Sequence, residues 1–363
     1  MSVTLHELAK AAGCSVSTVS RALNNSDHAV NDATRERILA LANELGYRPN
    51  VTARGLKMDR TFTIGLVVYN IASPFTPVLI RGIQEYLKER NYFSIIISTD
   101  WDPDLEGDAV HQLISRSIDG VIFVESWRDE SNNTLDLANK PYVHVYRLFD
   151  GENANSVMVD DRYGARLAME HLIKLGHHGI AFINGPRDWA ASKDRLVGYQ
   201  EVLAENGIPY EESLVREGTW EVQSGYVATK ELLTLPVRPT AIFAANDLMA
   251  MGTIYAIQDA GLNVPKDIAV VGYDDRNIAS FSKPTITTIC PPSFDMGQAA
   301  AQLILDRLEK QIEIKDPIRI KGKLIVRESC GAEQQKPSLE HYVSHDNPPE
   351  TLVRRWRGIS SQK

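Results

Sequence analysis

The sequence is short of the features that mark several protein classes. It has only three cysteines in 363 residues. Cys14, Cys290 and Cys330 are far apart, odd in number and without metal-ligand spacing, which argues against a disulfide-stapled secreted fold. Reduced thiols in a cytoplasmic protein are the expectation. No apolar run approaches the ~20 residues of a membrane helix. The opening MSVTLHELAK lacks a basic segment followed by an apolar run, so it does not read as a signal peptide. No phosphate loop, nucleophile motif or metal cluster is present. His177 and His178 are adjacent, not an i, i+4 metal pair, and read as part of a helix-to-strand turn. No catalytic, metal or cofactor residue is therefore assigned. A coat of positive charge is missing too, since the net charge is −8.

What is present is an ordinary globular composition. Apolar residues make up 43% and charged residues 24%, enough to bury a real core, and the length suits about two domains. The charge is uneven. Residues 1–60 hold eight Lys/Arg against six Asp/Glu, a balance of +2, which leaves −10 on the rest. A small basic head on an acidic body fits local contact with phosphate.

The head reads as short helices. TLHELAKAA (4–12) spaces Leu5, Leu8, Ala9 and Ala12 for one helix, with Thr4 and Glu7 in capping-box positions and Gly13 as the stop. Ser15 caps a second helix to about Leu23, in which Val19 and Leu23 face the first. This is the helix-turn-helix pattern. Val16, Ser17, Ser20 and Arg21 lie on another face, expected at the exposed N-terminal end, where such a helix meets base edges. Arg21 can pair bidentately with guanine, Ser17 with either class of base, and Val16 with a thymine methyl. Thr18 and Ser20 suit phosphate oxygens. A third helix is capped by Asn31, is apolar at Ile38, Leu41, Ala42 and Leu45, and ends at Gly46. Read locally, a three-helix packing module with an incidental serine-rich face stays open beside DNA reading.

YRPNVTARGLKMDRT then breaks at Pro49, is capped by Asn50 and holds about seven residues of weak helix, too short to stand alone. TLHELAKAAGCSVSTVSRALNN followed by GYRPNVTARGLK resembles the lactose-repressor (LacI–GalR) family of bacterial transcription regulators. The resemblance implies that paired hinge helices enter the minor groove of a near-palindromic operator. Leu56 would then be the wedge between base pairs, with Ala53 on the same side. The expected DNA-facing set is Thr4, Ser15, Val16, Ser17, Thr18, Ser20, Arg21, Asn25, Asn50, Ala53 and Leu56.

From residue 62 short apolar runs alternate with amphipathic segments. TIGLVVY, SIIIS, GVIFV and YVHVY form one series, and GIAFI, LVREG, AIFAA and IAVVGY a second. Such alternation predicts two doubly wound parallel sheets with helices on both faces, an α/β body behind the helical head. The expected limits are 1–48 for the helix-turn-helix domain, 49–61 for the hinge, 62–331 for the effector-binding and dimerisation core, and 332–363 for a flexible tail. Crossings between the two halves are expected near 160–163, 288–292 and 320. The body resembles the periplasmic-binding-protein-like core of the same family, through VDDRYGARLAMEHLIKLGHHGIAFI, AIFAANDLMAMG and DIAVVGYDD, and the likeness spans about residues 2–331.

Ligands of open α/β sheets sit beyond the carboxyl ends of the strands. Asn246-Asp247, Asp274-Asp275, Trp220 and Arg195 lie there in the second half. Tyr69, Asn70, Phe75, Tyr146 and Arg147 lie there in the first, and Trp189 adds a ring. Sugar hydroxyls need fixed donors and acceptors, and an apolar sugar face needs an aromatic platform. The resemblance implies that Arg195, Trp220, Asn246 and Asp274 hold the ligand. Asp247 and Asp275 read as helix or turn caps. The first-half side departs from the lactose repressor, which has an aspartate at the position of Tyr146 and a glutamine at that of Pro291. The expected effector-binding set is Asn70, Phe75, Tyr146, Arg147, Trp189, Arg195, Trp220, Asn246 and Asp274.

The tail, with its RRWR cluster, lacks the leucine heptads of a tetramerising coiled coil, so a homodimer is expected. The favoured function is a ligand-responsive repressor bound to double-stranded operator DNA, with a sugar or glycoside as effector and no membrane contact. A purine effector, a protein corepressor, a solute-binding protein and a sugar-processing enzyme using carboxylates such as Asp160 and Asp274 are the competing readings.

Overall fold

The computed structural model describes residues 3–23, 30–47, 60–100, 102–124, 137–146, 155–310, 314 and 316–332. Three helices form the head: α1 (Leu5–Ala11), α2 (Val16–Leu23) and α3 (Asp32–Glu44). Their ends are set by local side-chain bonds. The Thr4 amide donates to Glu7 Oε2 at 2.7 Å and the Glu7 amide returns to Thr4 Oγ1 at 3.3 Å. Gly13 turns the chain at φ +59°, where a side chain would be strained. Ser15 Oγ then accepts the Thr18 amide at 3.1 Å, and Asn31 Oδ1 accepts that of Ala33 at 2.9 Å.

Leu8, Val19 and Ile38 are fully buried at the centre of the head, each contributing roughly 1.5–3 kcal/mol. Ala9, Ala12, Ala22 and Ala42 let the helices approach closely. Ala22 is buried beside Val19 on the inward face of α2, and Leu23 packs partly against the same core. Leu45 is the C-cap of α3 and is exposed, because it lies past the last turn that packs inward.

In the body, twelve strands among the described residues make two six-stranded sheets. The first, in the order β11-β5-β4-β3-β1-β2, contains β1 (Thr63–Val68), β2 (Phe93–Ser98), β3 (Gly120–Val124), β4 (Tyr142–Val145), β5 (Ser156–Val159) and β11 (Ile318–Ile320). The second, in the order β12-β10-β9-β8-β6-β7, contains β6 (Ile180–Asn184), β7 (Val215–Glu217), β8 (Ala241–Ala244), β9 (Ala269–Tyr273), β10 (Thr287–Cys290) and β12 (Lys323–Ile325). The central strands are buried along their whole length, as parallel strands covered on both faces must be. The second sheet is not purely parallel, because β12 runs antiparallel to β10. Strands β5, β10, β11 and β12 escaped the apolar-run reading. They have three or four residues each, and β5 and β10 carry polar Ser156, Thr287 and Thr288.

The covering helices are α4 (Thr76–Glu89), α5 (Pro103–Ser115), α6 (Asp161–Lys174), α7 (Ala190–Glu205), α8 (Val222–Leu232), α9 (Asp247–Asp259), α10 (Asn277–Phe281) and α11 (Ser293–Lys310). Helix α6 follows β5 but packs Ala165, Met169 and Leu172 into the core of the second sheet. Helix α11 follows β10 but packs Met296, Ala300 and Ile304 against the first. The chain crosses again between β11 and β12. Phe182 stacks between Phe243 (4.9 Å between centroids) and Tyr199 (5.2 Å), forming the aromatic centre of the second core.

Candidate functional site

On the head, Ser17 and Arg21 of α2 are exposed, while Val16, Thr18 and Ser20 are half-buried. Val16 packs partly against the head core, so less of its methyl surface is free than its sequence position implied. Arg21 stands in the last turn of α2, not at its N-terminal end, because an eight-residue helix is only about two turns long. Ser15 Oγ lies 2.7 Å from Ser17 Oγ and 2.8 Å from Thr18 Oγ1. These hydroxyls form one cluster at the start of α2, the end of a helix that favours negative charge. Asn25, Asn50, Ala53 and Leu56, with Arg147 of the body and the RRWR tail, lie outside the described residues.

In the body, the strand neighbours of β1 are β2 and β3, and those of β6 are β7 and β8. Each sheet therefore reverses its winding at that strand, and a crevice opens at the carboxyl ends of such strands. The two crevices meet. Arg276, three residues after β9, places its guanidinium 5.8 Å from the Phe75 ring centroid, seven residues after β1. Tyr146 follows β4, lies 6.3 Å from Phe75 and shares a 2.9 Å hydrogen bond between its hydroxyl and Ser293 Oγ. Asn70 Oδ1 accepts the Ala72 amide at 2.8 Å and shapes the loop after β1.

The second-half wall is built around Arg195, on α7. Its Nε and Nη2 reach Asp161 Oδ1 at 2.8 and 2.7 Å, its Nη1 donates to the Ala245 carbonyl, and the guanidinium lies 3.6 Å from the Tyr273 ring centroid. Burial opposes its charge, but Asp161 overcomes that and holds the pKa above the ordinary arginine value. Trp220 stands edge-on to Trp189 at 5.7 Å, and Arg195 faces the Trp220 ring at 5.7 Å. Trp189 is exposed and starts α7. The ring of Trp220 lies directly against Gly185, where any Cβ would collide with it.

Asn246, not Asp247, caps α9: its Oδ1 accepts the Met249 amide and its Nδ2 donates to the Trp220 carbonyl, both at 2.8 Å. Asn246 thus holds Trp220 in place. Asp247 is fully buried and accepts from Thr288 Oγ1 at 2.6 Å and from the Arg276 amide at 2.7 Å. Burial pushes its carboxyl well above the usual range. Asp275 is no cap either, since it pairs with Arg327 at 2.6 Å. The Asp274 side chain is 12% exposed and lies 3.7 Å from Arg276 Nε. Burial pushes its pKa up to about 7, against the pull of Arg195 and Arg276.

Tyr146, Trp220, Asp274 and Asp275 all have positive φ, at +65°, +68°, +109° and +51°. Non-glycine residues pay for that conformation, and such strain gathers at binding sites. The sequence reading missed Asp161, Tyr273 and Arg276. Asp161 adjoins Asp160 in VDDRYG, and Tyr273 and Arg276 flank Asp274-Asp275, so adjacency to strand ends was the available signal. Among the described residues no group of three His, Cys, Asp or Glu side chains is arranged to hold a metal ion, and no helix is long and apolar enough to cross a membrane.

Two family models match. That for bacterial regulatory proteins of the lacI family covers residues 4–50, and that for a periplasmic binding protein-like domain covers residues 169–330. Catabolite control protein A of Priestia megaterium is 32% identical over 331 residues, covering 91% of this chain and 99% of that protein. The HTH-type transcriptional regulator CelR of Thermobifida fusca is 37% identical over 336 residues, covering 90% and 98%. Among solved structures, a complex of the regulator CelR with cellobiose is 34% identical with a TM-score of 0.64, covering 90% and 99%. The lac repressor dimer bound to operator and the anti-inducer ONPF is 31% identical with a TM-score of 0.72, covering 91% and 99%. The chain belongs to the lacI family of bacterial regulatory proteins, and it is a DNA-binding transcription regulator rather than an enzyme.

Proposed function

We propose that the protein is a cytoplasmic, homodimeric repressor whose cleft takes a sugar or glycoside. The observation that carries this is the convergence of Arg195, Trp220 and Asp274 on one wall with Phe75 and Tyr146 opposite. Rings supply platforms for a sugar face, and Asp274, with Arg276 beside it, supplies fixed polar groups for hydroxyls. Trp189 extends the platform, and Asn70, Asn246 and Arg147 complete the assigned set. The solved CelR–cellobiose complex and the ribose operon repressor of Escherichia coli, 33% identical over 309 residues, support a carbohydrate.

Occupancy changes the closure of the two halves and hence the spacing of the hinges on DNA. The ligand acts only in so far as it binds one closure state more tightly. The working limits are 1–48 for DNA reading, 49–61 for the hinge, 62–331 for the core and 332–363 for the tail. DNA contact is assigned to Thr4, Ser15, Val16, Ser17, Thr18, Ser20, Arg21 and Asn25, with Asn50, Ala53 and Leu56 in the hinge.

A thermal-shift screen of sugars and nucleobases, with and without operator DNA, tests the reading. A sugar that raises the melting temperature and changes operator affinity is the expected result. A response to purines alone favours the purine reading, for which the PurR repressor of Haemophilus influenzae, 32% identical over 332 residues, is the relevant relative. Turnover of any sugar by the pure protein contradicts the assignment.

A further inference from the structure

Three arginines of the second half stand near the cleft, and two of them are hydrogen-bonded within the protein. Arg195 is held by Asp161 and the Ala245 carbonyl. Arg327 donates to Asp275 at 2.6 Å and to the Ile286 carbonyl at 2.9 Å. Arg276 differs. Its Nε is buried without a hydrogen-bond partner, and the carboxylate beside it, Asp274, stands at 3.7 Å, beyond hydrogen-bond length.

The residue is nevertheless firmly placed. Its backbone amide is tied to buried Asp247 and it starts α10. From there its guanidinium crosses to Phe75 of the other half. Its counter-charge is weak as well, since burial pushes Asp274 up to about 7 and leaves it half-protonated near neutral pH. A guanidinium with an unused donor, set over an aromatic ring of the other half, matches an anionic oxygen better than a lone hydroxyl.

We propose that Arg276 is a specificity-determining residue of this cleft, selecting an effector that bears a phosphate ester or carboxylate on the end that meets Phe75. The inference rests on the cleft being the effector site and narrows the class of sugar it takes.

Calorimetric titration of the full-length protein tests it. The probes are glucose and cellobiose, each beside its 6-phosphate and its uronic acid, and the phosphate and uronate arms separate the two anions. The wild type is expected to bind an anionic member about tenfold or more tighter than its neutral parent, the scale of one charge-assisted hydrogen bond. Arg276→Gln should erase that preference, and Arg276→Lys should keep part of it. The wild-type comparison needs no variant, so misfolding of either substitution cannot rescue the idea. Equal or tighter binding of the neutral parent overturns the inference and leaves the sugar reading intact. A preference that survives in Arg276→Gln also overturns it. If no member of any set binds, the sugar reading falls and the inference with it.

Discussion

Asp161 Oδ1 takes two nitrogens of Arg195, at 2.8 and 2.7 Å, in a pair whose side chains are each less than 10% exposed. Asp161 begins α6 and Arg195 lies on α7, so the pair ties together two helices of the second half at the edge of the cleft. Asp161→Asn would leave a buried guanidinium without its counter-charge, at a cost of about 3–5 kcal/mol. Denaturant unfolding should show that loss. The double variant Asp161→Asn/Arg195→Met should lose much less, because no charge is then stranded.

Asp274 predicts a pH dependence that needs no ligand. Its ordinary pKa of 3.8 rises to about 7 on folding. The folded chain therefore keeps a proton that the unfolded chain has released between those values. The group's contribution to stability is fully present below the lower value and declines as pH climbs through the window. Asp274→Asn removes the titration. Its melting temperature relative to wild type should rise between about pH 5 and about pH 8, with Arg195, Arg276 and Asp161 unchanged around it. A constant difference would contradict the shift.

Arg21 is exposed in the last turn of α2, so removing it should cost the head little stability. Arg21→Ala is expected to lose about 1–3 kcal/mol at one base pair and to relax specificity there. Competition binding with single-base operator variants measures this. An equal loss on every sequence would make Arg21 a phosphate contact instead.

Gly185 lies directly under the Trp220 ring. Gly185→Ala should push the ring aside at a cost of about 1–3 kcal/mol, as overpacking does. Tryptophan fluorescence should change and sugar affinity should fall, with operator binding by the free protein intact. An unchanged sugar affinity would remove Trp220 from the pocket.

Much of the head was legible because its signals are local. Thr4, Ser15 and Asn31 cap helices through atoms two or three residues away, and Gly13 stops one through its own backbone. The long central strands were legible because burial on both faces demands continuous apolar runs. The polar Thr287 and Thr288 hid β10, whose existence depends on partners distant in sequence. Asn246 and Asp247 are both good cap formers, so composition did not separate them. The end of β8 places Asn246 at the cap and drives Asp247 into the core.

The sequence by itself determined the helical head, the alternation of strands and helices, and the residue types gathered after the strands. Those follow from spacing, capping and hydrophobic period, which act over a few residues. Tertiary structure alone decided that Arg195 is neutralised by Asp161, that Asn246 holds Trp220, and that Arg276 reaches Phe75. It also decided that Tyr146, Trp220 and Asp274 take left-handed backbone at the cleft. These are contacts across tens to hundreds of residues. Their geometry is set by how the two sheets pack and face one another, and no local pattern encodes it.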